Sequence, residues 1–194
     1  MTNWERLHRR IFETGIPPRR LVSKPKNKAL DAFEEEFAVK LPKSYRDFIQ
    51  VFGPGVIARN IRIYAPCGKQ STTFDLYVDN RGRHESFLLR HRQNVDKRTK
   101  TLKDPELRRL ARLILFGSTF LGDLFGFDPE DVTDQNDPEY RIFFWEKLSD
   151  SAQPIADAFS DFITDVCLGE GYFKILTKGS IIKTRNVYEP ALRD

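Results

Sequence analysis

Few side chains in this sequence have the types and spacing that catalysis requires. The histidines are His8, His84 and His91. His84-Glu85 lacks the second histidine of the zinc-protease pattern His-Glu-x-x-His, and Phe120 stands where the turn of a serine nucleophile at Ser118 would need a glycine. No glycine-rich phosphate-binding loop is present. The sequence therefore predicts a protein that is not an enzyme and that binds no metal and no cofactor.

Carboxylates are the other reactive groups, and they are concentrated in one part of the chain. Residues 113–170 hold 2 Lys and Arg against 13 Asp and Glu, a net charge of 2 − 13 = −11. Residues 128–139 are acidic, but they lack the central glycine and the ligand spacing of an EF-hand calcium loop. Asp157, Asp161 and Asp165 are spaced to share one face of a predicted last helix. These acids are either solvated or a docking surface for a cationic partner.

The acids that could contact such a partner make up one candidate partner-binding set. Its members are Asp123, Asp128, Glu130, Asp131, Asp157, Asp161 and Asp165.

Lysine and arginine are concentrated elsewhere in the chain. Residues 1–28 hold 8 Lys and Arg against 2 acids, and residues 81–112 hold 11 against 4. Nucleic-acid binding is one interpretation of these basic segments. However, Phe87 is the one aromatic residue of the second segment, so bases would find no stacking platform there. We predict instead that residues 81–112 form a surface helix or loop that packs against the acidic half.

Nothing in the sequence predicts a membrane protein. No apolar run approaches the roughly 20 residues needed to span a bilayer. The start of the chain, Met1 to Arg6, lacks the apolar core of a signal peptide. We expect a soluble, cytoplasmic protein, in which Cys67 and Cys167 are reduced thiols in or near the core.

Helical spacing of apolar residues predicts the elements that would position these groups. Amphipathic helices are predicted at residues 4–13, 30–37 and 42–52, the third opened by Pro42 and stopped by Gly53-Pro54-Gly55. Residues 83–112 have mostly helical character, and a last helix is predicted from Ser151 to Val166.

β-Branched and aromatic residues predict the strands. These segments are 56–65, 72–78, 113–116, 124–127 and 140–145. Residues 79–82 are predicted as a turn and residues 128–139 as a loop. Successive strands with short connections favour an α+β fold, with an antiparallel or mixed sheet and helices packed on one side. We expect an N-terminal helix and basic arm at 1–24, the domain at 25–170, and a tail or hairpin at 171–194.

Two motifs carry a family resemblance. Leu30 to Gly55 combines an acidic amphipathic helix, the Leu41-Pro42 step, an aromatic stripe and a glycine-rich stop; Leu115 to Asp128 contains a strand, the Gly122-Asp123 step and a second strand. With the aromatic strand end Phe143–Trp145 and the helix after it, these features resemble the SUKH superfamily over about residues 25–170. Many members have Asn-Gly-Gly where this chain has Gly53-Pro54-Gly55.

The resemblance implies a non-catalytic protein-binding domain. Bacterial SUKH proteins are immunity proteins that bind and neutralise toxin domains, often nucleases, whereas the yeast member regulates cell-wall assembly and glucan synthesis. An immunity protein that neutralises a cognate toxin by stoichiometric binding is the leading hypothesis. A regulatory scaffold resembling the cell-wall regulator is the alternative.

Overall fold

The computed structural model describes residues 2–12, 21–71, 73–95, 102, 104–146, 148–169 and 187–193. Parts of several predicted segments lie outside these residues: the basic arm within 1–24, the mostly helical segment 83–112 and the tail or hairpin at 171–194. No helix in the described part of the chain is long and apolar enough to cross a membrane.

The helices of the described residues fall in three groups along the chain. They are α1 (Asn3–Ile11), α2 (Asn27–Phe37), α3 (Lys43–Phe52), α4 (Leu76–Arg90), α5 (Pro105–Arg112) and α6 (Phe159–Asp161). α6 continues directly into a π-helix, Phe162–Cys167, and the two together are called the last helix below. The helices predicted at residues 4–13, as far as the structure describes that range, and at 30–37 and 42–52 are confirmed.

The strands form one antiparallel sheet with the order β6-β5-β4-β3-β2-β1-β7. Their bounds are Gly55–Ile57 (β1), Ile61–Ile63 (β2), Ile114–Thr119 (β3), Leu124–Asp134 (β4), Glu139–Glu146 (β5), Ser151–Ala156 (β6) and Tyr188–Pro190 (β7). The α+β class and the antiparallel sheet are confirmed.

Helices cover both faces of this sheet. Successive strand residues point to opposite faces, so the same strands contribute side chains to two clusters. Phe116 and Phe125 belong to the larger core, under α2, α3 and the last helix. Leu115 and Phe143 belong to a smaller cluster with residues of α4 and α5. The prediction of helices on one side therefore describes the larger core, and α4 and α5 add a second layer on the other face.

β7 connects the end of the chain to its first third. Tyr188 is fully buried, and its hydroxyl donates a 2.6 Å hydrogen bond to the carbonyl of Gly53. β7 pairs with β1 at Gly55, where a Cβ atom would lie 2.7 Å from the Tyr188 hydroxyl. Only glycine therefore allows β1 and Tyr188 to approach this closely.

Several predicted elements are wrong. Residues 73–78 of the strand predicted at 72–78 are not a strand, because the Asp75 side chain accepts from the Tyr77 amide and begins α4 at Leu76. The predicted turn at 79–82 lies inside this helix. Residues 128–139 are not one loop, since β4 extends to Asp134. Residues 151–156 are a strand, and the last helix begins only at Phe159. Asp157 therefore precedes that helix, and the predicted Asp157–Asp161–Asp165 helical stripe does not exist.

Candidate functional site

An open groove of about 720 Å³ lies beside the turn that connects β4 to β5. We call it the groove surface. Its lining residues come from α1, α3, the β4–β5 turn, the start of β5 and the last helix: Asn3, Trp4, Arg6, Leu7, Arg10, Lys43, Ser44, Asp47, Asp137, Glu139, Ser160 and Thr164. Cations are contributed by α1 and the start of α3, and acids by α3, the turn and β5. The groove surface thus offers both signs of charge beside the apolar side chains of Trp4 and Leu7.

Glu139, at the start of β5, connects this strand to α3 and to the last helix. Its carboxylate accepts hydrogen bonds from the Ser44 amide at 2.6 Å and the Ser44 hydroxyl at 2.9 Å, and a longer one from the Phe159 amide at 3.4 Å. The Ser44 hydroxyl accepts in turn from the Ser160 amide at 3.2 Å. Neither α3 nor α6 has a side-chain cap from its own N-cap residue. One carboxylate therefore caps two helices, where free amides attract an anion.

The electrostatic balance at Glu139 combines opposing effects. Burial raises the pKa of its carboxyl, the hydrogen bonds from Ser44 and Phe159 act in the opposite direction, and the nearby Asp161 raises it further. The net pKa is above the usual value, so the ionised form is held by its hydrogen bonds in an environment that disfavours it.

Replacement of Glu139 by alanine should destabilise the protein by about 1–2 kcal/mol, the loss expected for a helix cap. Urea unfolding measures the change in free energy. Asp137→Ala, at an exposed acid of the same groove surface, is the matched control and should change stability by less than about 0.5 kcal/mol. Equal effects of both substitutions would contradict the double-cap role.

α1 is attached to α3 through aromatic contacts. The Trp4 ring meets Phe48 edge-on at 5.3 Å between centroids, and the His8 ring stacks on Phe12 at 4.0 Å and lies 5.0 Å from Phe52. Burial, and to a smaller extent the charge of Lys24, lower the pKa of His8. The neutral form of His8 is therefore favoured where α1 packs on Phe52.

Acidification should weaken this attachment. Because the folded-state pKa of His8 is lowered, stability is complete above its unfolded pKa of about 6.5 and falls as the pH drops below that value. We expect the melting temperature of His8→Leu to decrease less than that of the parent between about pH 7.5 and pH 5.5. Parallel pH profiles of the two proteins would show that His8 does not sense pH here.

The structure separates the predicted partner-binding acids. Asp123 immediately precedes β4, whereas Asp131 is eight residues later in the same strand. At roughly 3.4 Å per residue, these two acids lie about 25 Å apart. Asp161 lies within electrostatic reach of Glu139 beside the groove surface, and the exposed Asp165 is on the same last helix. The seven acids are therefore not one surface.

Asp128 must be withdrawn from the candidate set, because its side chain is 1 % exposed. Both of its oxygens accept from Arg112 of α5, at 2.6 and 2.8 Å, and the Arg109 Nε atom lies 3.4 Å away. A carboxylate enclosed in this way holds α5 on the sheet and cannot contact a partner.

Three further candidates are accessible but paired within the chain. Arg112 also contacts Glu130 at 2.8 Å, and Arg141 contacts Asp131 at 3.2 Å and Asp157 at 2.5 Å. These ion pairs reduce the negative potential that a cationic partner would meet. The ion pairs of Arg112 with Asp128 and Glu130, and of Arg90 with Asp150 at 3.5 Å, join described residues of 81–112 to the acidic half, as predicted.

None of the residues that line the groove belongs to the candidate set predicted from the sequence. The available signal was the N-terminus of α3, where Pro42 has no capping side chain, so that its free amides required an acceptor from another part of the chain. The described residues contain no group of three or more His, Cys, Asp and Glu that could hold a metal ion. The side chains of Cys67 and Cys167 are both buried, as predicted.

Comparison with known proteins identifies the family. The model of the SMI1 / KNR4 family (SUKH-1) matches residues 24–165, which include α2 to β6 and most of the last helix. No curated protein matches this chain. The family match covers both motifs on which the sequence resemblance depended, Leu30 to Gly55 and Leu115 to Asp128. The chain therefore belongs to the SMI1 / KNR4 family (SUKH-1).

Proposed function

We propose that this chain is an immunity protein that neutralises a cognate toxin domain by stoichiometric binding, and that the groove surface is the contact. SUKH domains are protein-interaction domains. The observation that carries the proposal is the open groove with cations on α1 and carboxylates at the β4–β5 turn. Such a surface recognises a protein segment that presents complementary charges of both signs.

The structure changes the mechanism suggested by composition. A purely acidic surface would imitate the phosphates bound by a nuclease, but Asp128, Glu130, Asp131 and Asp157 are paired with arginines of the chain. Asp161 and Asp165 stay in the proposal, together with Asp137 of the groove surface. Inhibition would then result from occlusion of the toxin's active site by a rigid, charge-complementary surface.

The test is co-purification and calorimetry with the toxin encoded beside this gene. We expect a 1:1 complex and loss of toxin activity that is complete at one equivalent. The double substitution Arg6→Glu and Arg10→Glu and the single substitution Asp137→Lys should each weaken binding at least tenfold, about 1.4 kcal/mol. Gln153→Lys, on the exposed edge strand β6, should have no effect.

The outcomes separate the partner from the surface. Tight binding that none of the groove variants weakens would show that another surface is used. A folded protein that binds no neighbouring toxin would contradict immunity and favour the alternative, a regulatory scaffold for an endogenous protein. The mixed charge of the groove surface is compatible with that alternative, and an isolated housekeeping gene context would support it.

A further inference from the structure

The groove surface combines residues from two parts of the chain. Some belong to α1, which ends at Ile11, whereas the match to the family model begins at residue 24. The other lining residues come from α3, the β4–β5 turn, β5 and the last helix, and all of them lie within the match. We call these two sets the α1 part and the family part of the groove. This chain therefore completes its groove with an element from outside the family domain.

α1 is a well-defined helix that is attached to the family domain. A capping box forms its first turn: the Thr2 hydroxyl accepts from the Glu5 amide at 3.1 Å, and the Glu5 carboxylate accepts from the Thr2 amide at 2.7 Å. The Trp4 ring, which lines the groove, packs edge-on against Phe48 of α3. Because α1 is formed and attached before a partner arrives, binding has a smaller cost in conformational entropy.

Most charges in the family part of the groove are paired within the chain. Lys43 forms an ion pair with Asp47, and Glu139 accepts hydrogen bonds from amides at the starts of α3 and the last helix. Asp137 is exposed and takes part in none of the ion pairs found among the described residues. The family part therefore offers a partner one carboxylate that is not already paired in this way.

The α1 part of the groove offers two cations. Arg6 and Arg10 are exposed, line the groove and are four residues apart, so they share one face of the helix about 6 Å apart along its axis. Arg6 donates to the side-chain carbonyl of Asn3, and neither arginine takes part in any ion pair found in the described part of the chain. Trp4 and Leu7 lie beside them. Two guanidinium groups next to an apolar surface suit carboxylates that flank an apolar side chain.

We propose that α1 selects the partner of the groove surface, and that this partner docks there through an acidic segment of its chain. Two carboxylates of the segment pair with Arg6 and Arg10, and an apolar side chain next to them packs on Trp4 and Leu7. A basic residue elsewhere in the segment meets Asp137 and sets the direction in which the segment lies. This inference rests on the proposed function, because it takes the groove surface to be the contact.

Selection of short random peptides, displayed on phage, against the immobilised full chain tests the proposal without knowledge of the partner. The recovered peptides should be enriched in Asp and Glu around an apolar residue. Fluorescence polarisation then measures their dissociation constants, which Arg10→Glu should raise about tenfold or more. Arg9→Glu is the matched control, because it makes the same charge change at the neighbouring exposed residue of α1, which does not line the groove. It should change the dissociation constants by less than about threefold at physiological salt.

A second selection, against the double variant Arg6→Glu and Arg10→Glu, should recover peptides rich in Lys and Arg, because the charge of the α1 part is reversed. Peptides without acidic enrichment on the parent would overturn the proposal. So would an effect of Arg10→Glu no larger than that of Arg9→Glu, even if the neighbouring toxin binds. If that toxin does not bind but acidic peptides still require Arg10, immunity is contradicted and the selectivity of α1 is supported.

Discussion

Replacement of Asp128 by alanine should destabilise this protein by about 3–5 kcal/mol, because it removes two charged hydrogen bonds of about 1.5–3 kcal/mol each from a buried carboxylate. The Asp128 side chain is 1 % exposed and holds Arg112 through two hydrogen bonds of 2.6 and 2.8 Å. It also accepts from the Glu130 amide at 3.1 Å. Its removal leaves Arg112 and Arg109 beside the apolar sheet, where the Arg109 guanidinium lies 5.1 Å from the Phe143 ring. Urea unfolding at neutral pH measures the loss.

The neighbouring acid provides the matched control. Glu130 contacts the same Arg112 at 2.8 Å, but its side chain is 71 % exposed. Glu130→Ala should cost less than about 1 kcal/mol, because exposed ion pairs contribute little. The two substitutions remove the same charge two residues apart. The difference between their changes in the free energy of unfolding therefore measures the effect of burial. A loss of similar size for both would contradict the role given to Asp128.

Replacement of Asn80 by leucine should cost about 2–4 kcal/mol, although the two side chains have a similar size. Asn80 is 2 % exposed, donates to the carbonyls of Leu76 and Leu115, and accepts from the Leu115 amide, all at 2.8 Å. The register of β3 against β4 shifts immediately after Leu115. The Asn80 amide therefore satisfies the backbone of β3 from α4, and leucine would leave a buried N–H and C=O without their partner.

Hydrogen exchange gives this prediction a local readout. The Leu115 amide should exchange faster in Asn80→Leu than in the parent, beyond the change in global stability. Ser86→Ala, at an exposed position of the same α4 helix, is the control and should stay within about 0.5 kcal/mol of the parent. Unchanged protection of Leu115 in Asn80→Leu would show that the side-chain bonds are not needed.

Asn80 also shows why the sequence predicts some elements of this fold well and others badly. α2 and α3 were predicted closely because their apolar residues repeat at helical spacing and Gly53 ends the second of them. Asn80 was assigned to a turn because asparagine next to aspartate and glycine is typical of turns. Its amide instead bonds a strand 35 residues later, and no local pattern indicates such a contact.

The last helix illustrates the same limit for the candidate site. Ser151 and Pro154 are typical of a helix start, but Pro154 lies in β6, at the edge of the sheet, where proline is tolerated. The predicted Asp157–Asp161–Asp165 stripe failed with that assignment. The ion pairs of Arg141 with Asp131 and Asp157 were likewise not predicted. The sequence shows how much charge a segment carries, but not which charged side chains are in contact. The family motifs succeeded because they describe core residues.

The pairing of β1 with β7 has a consequence for the order of events on the ribosome. Residues 55–57 meet residues 188–190, more than 130 positions later in the chain. While translation proceeds from the N-terminus, the pocket for Tyr188 beside Phe48 and Phe52 is empty, and one edge of β1 has no neighbour. Contacts of such long separation form slowly, and unpaired strand edges promote aggregation. The nascent protein is therefore exposed to misassembly until residue 190 leaves the exit tunnel.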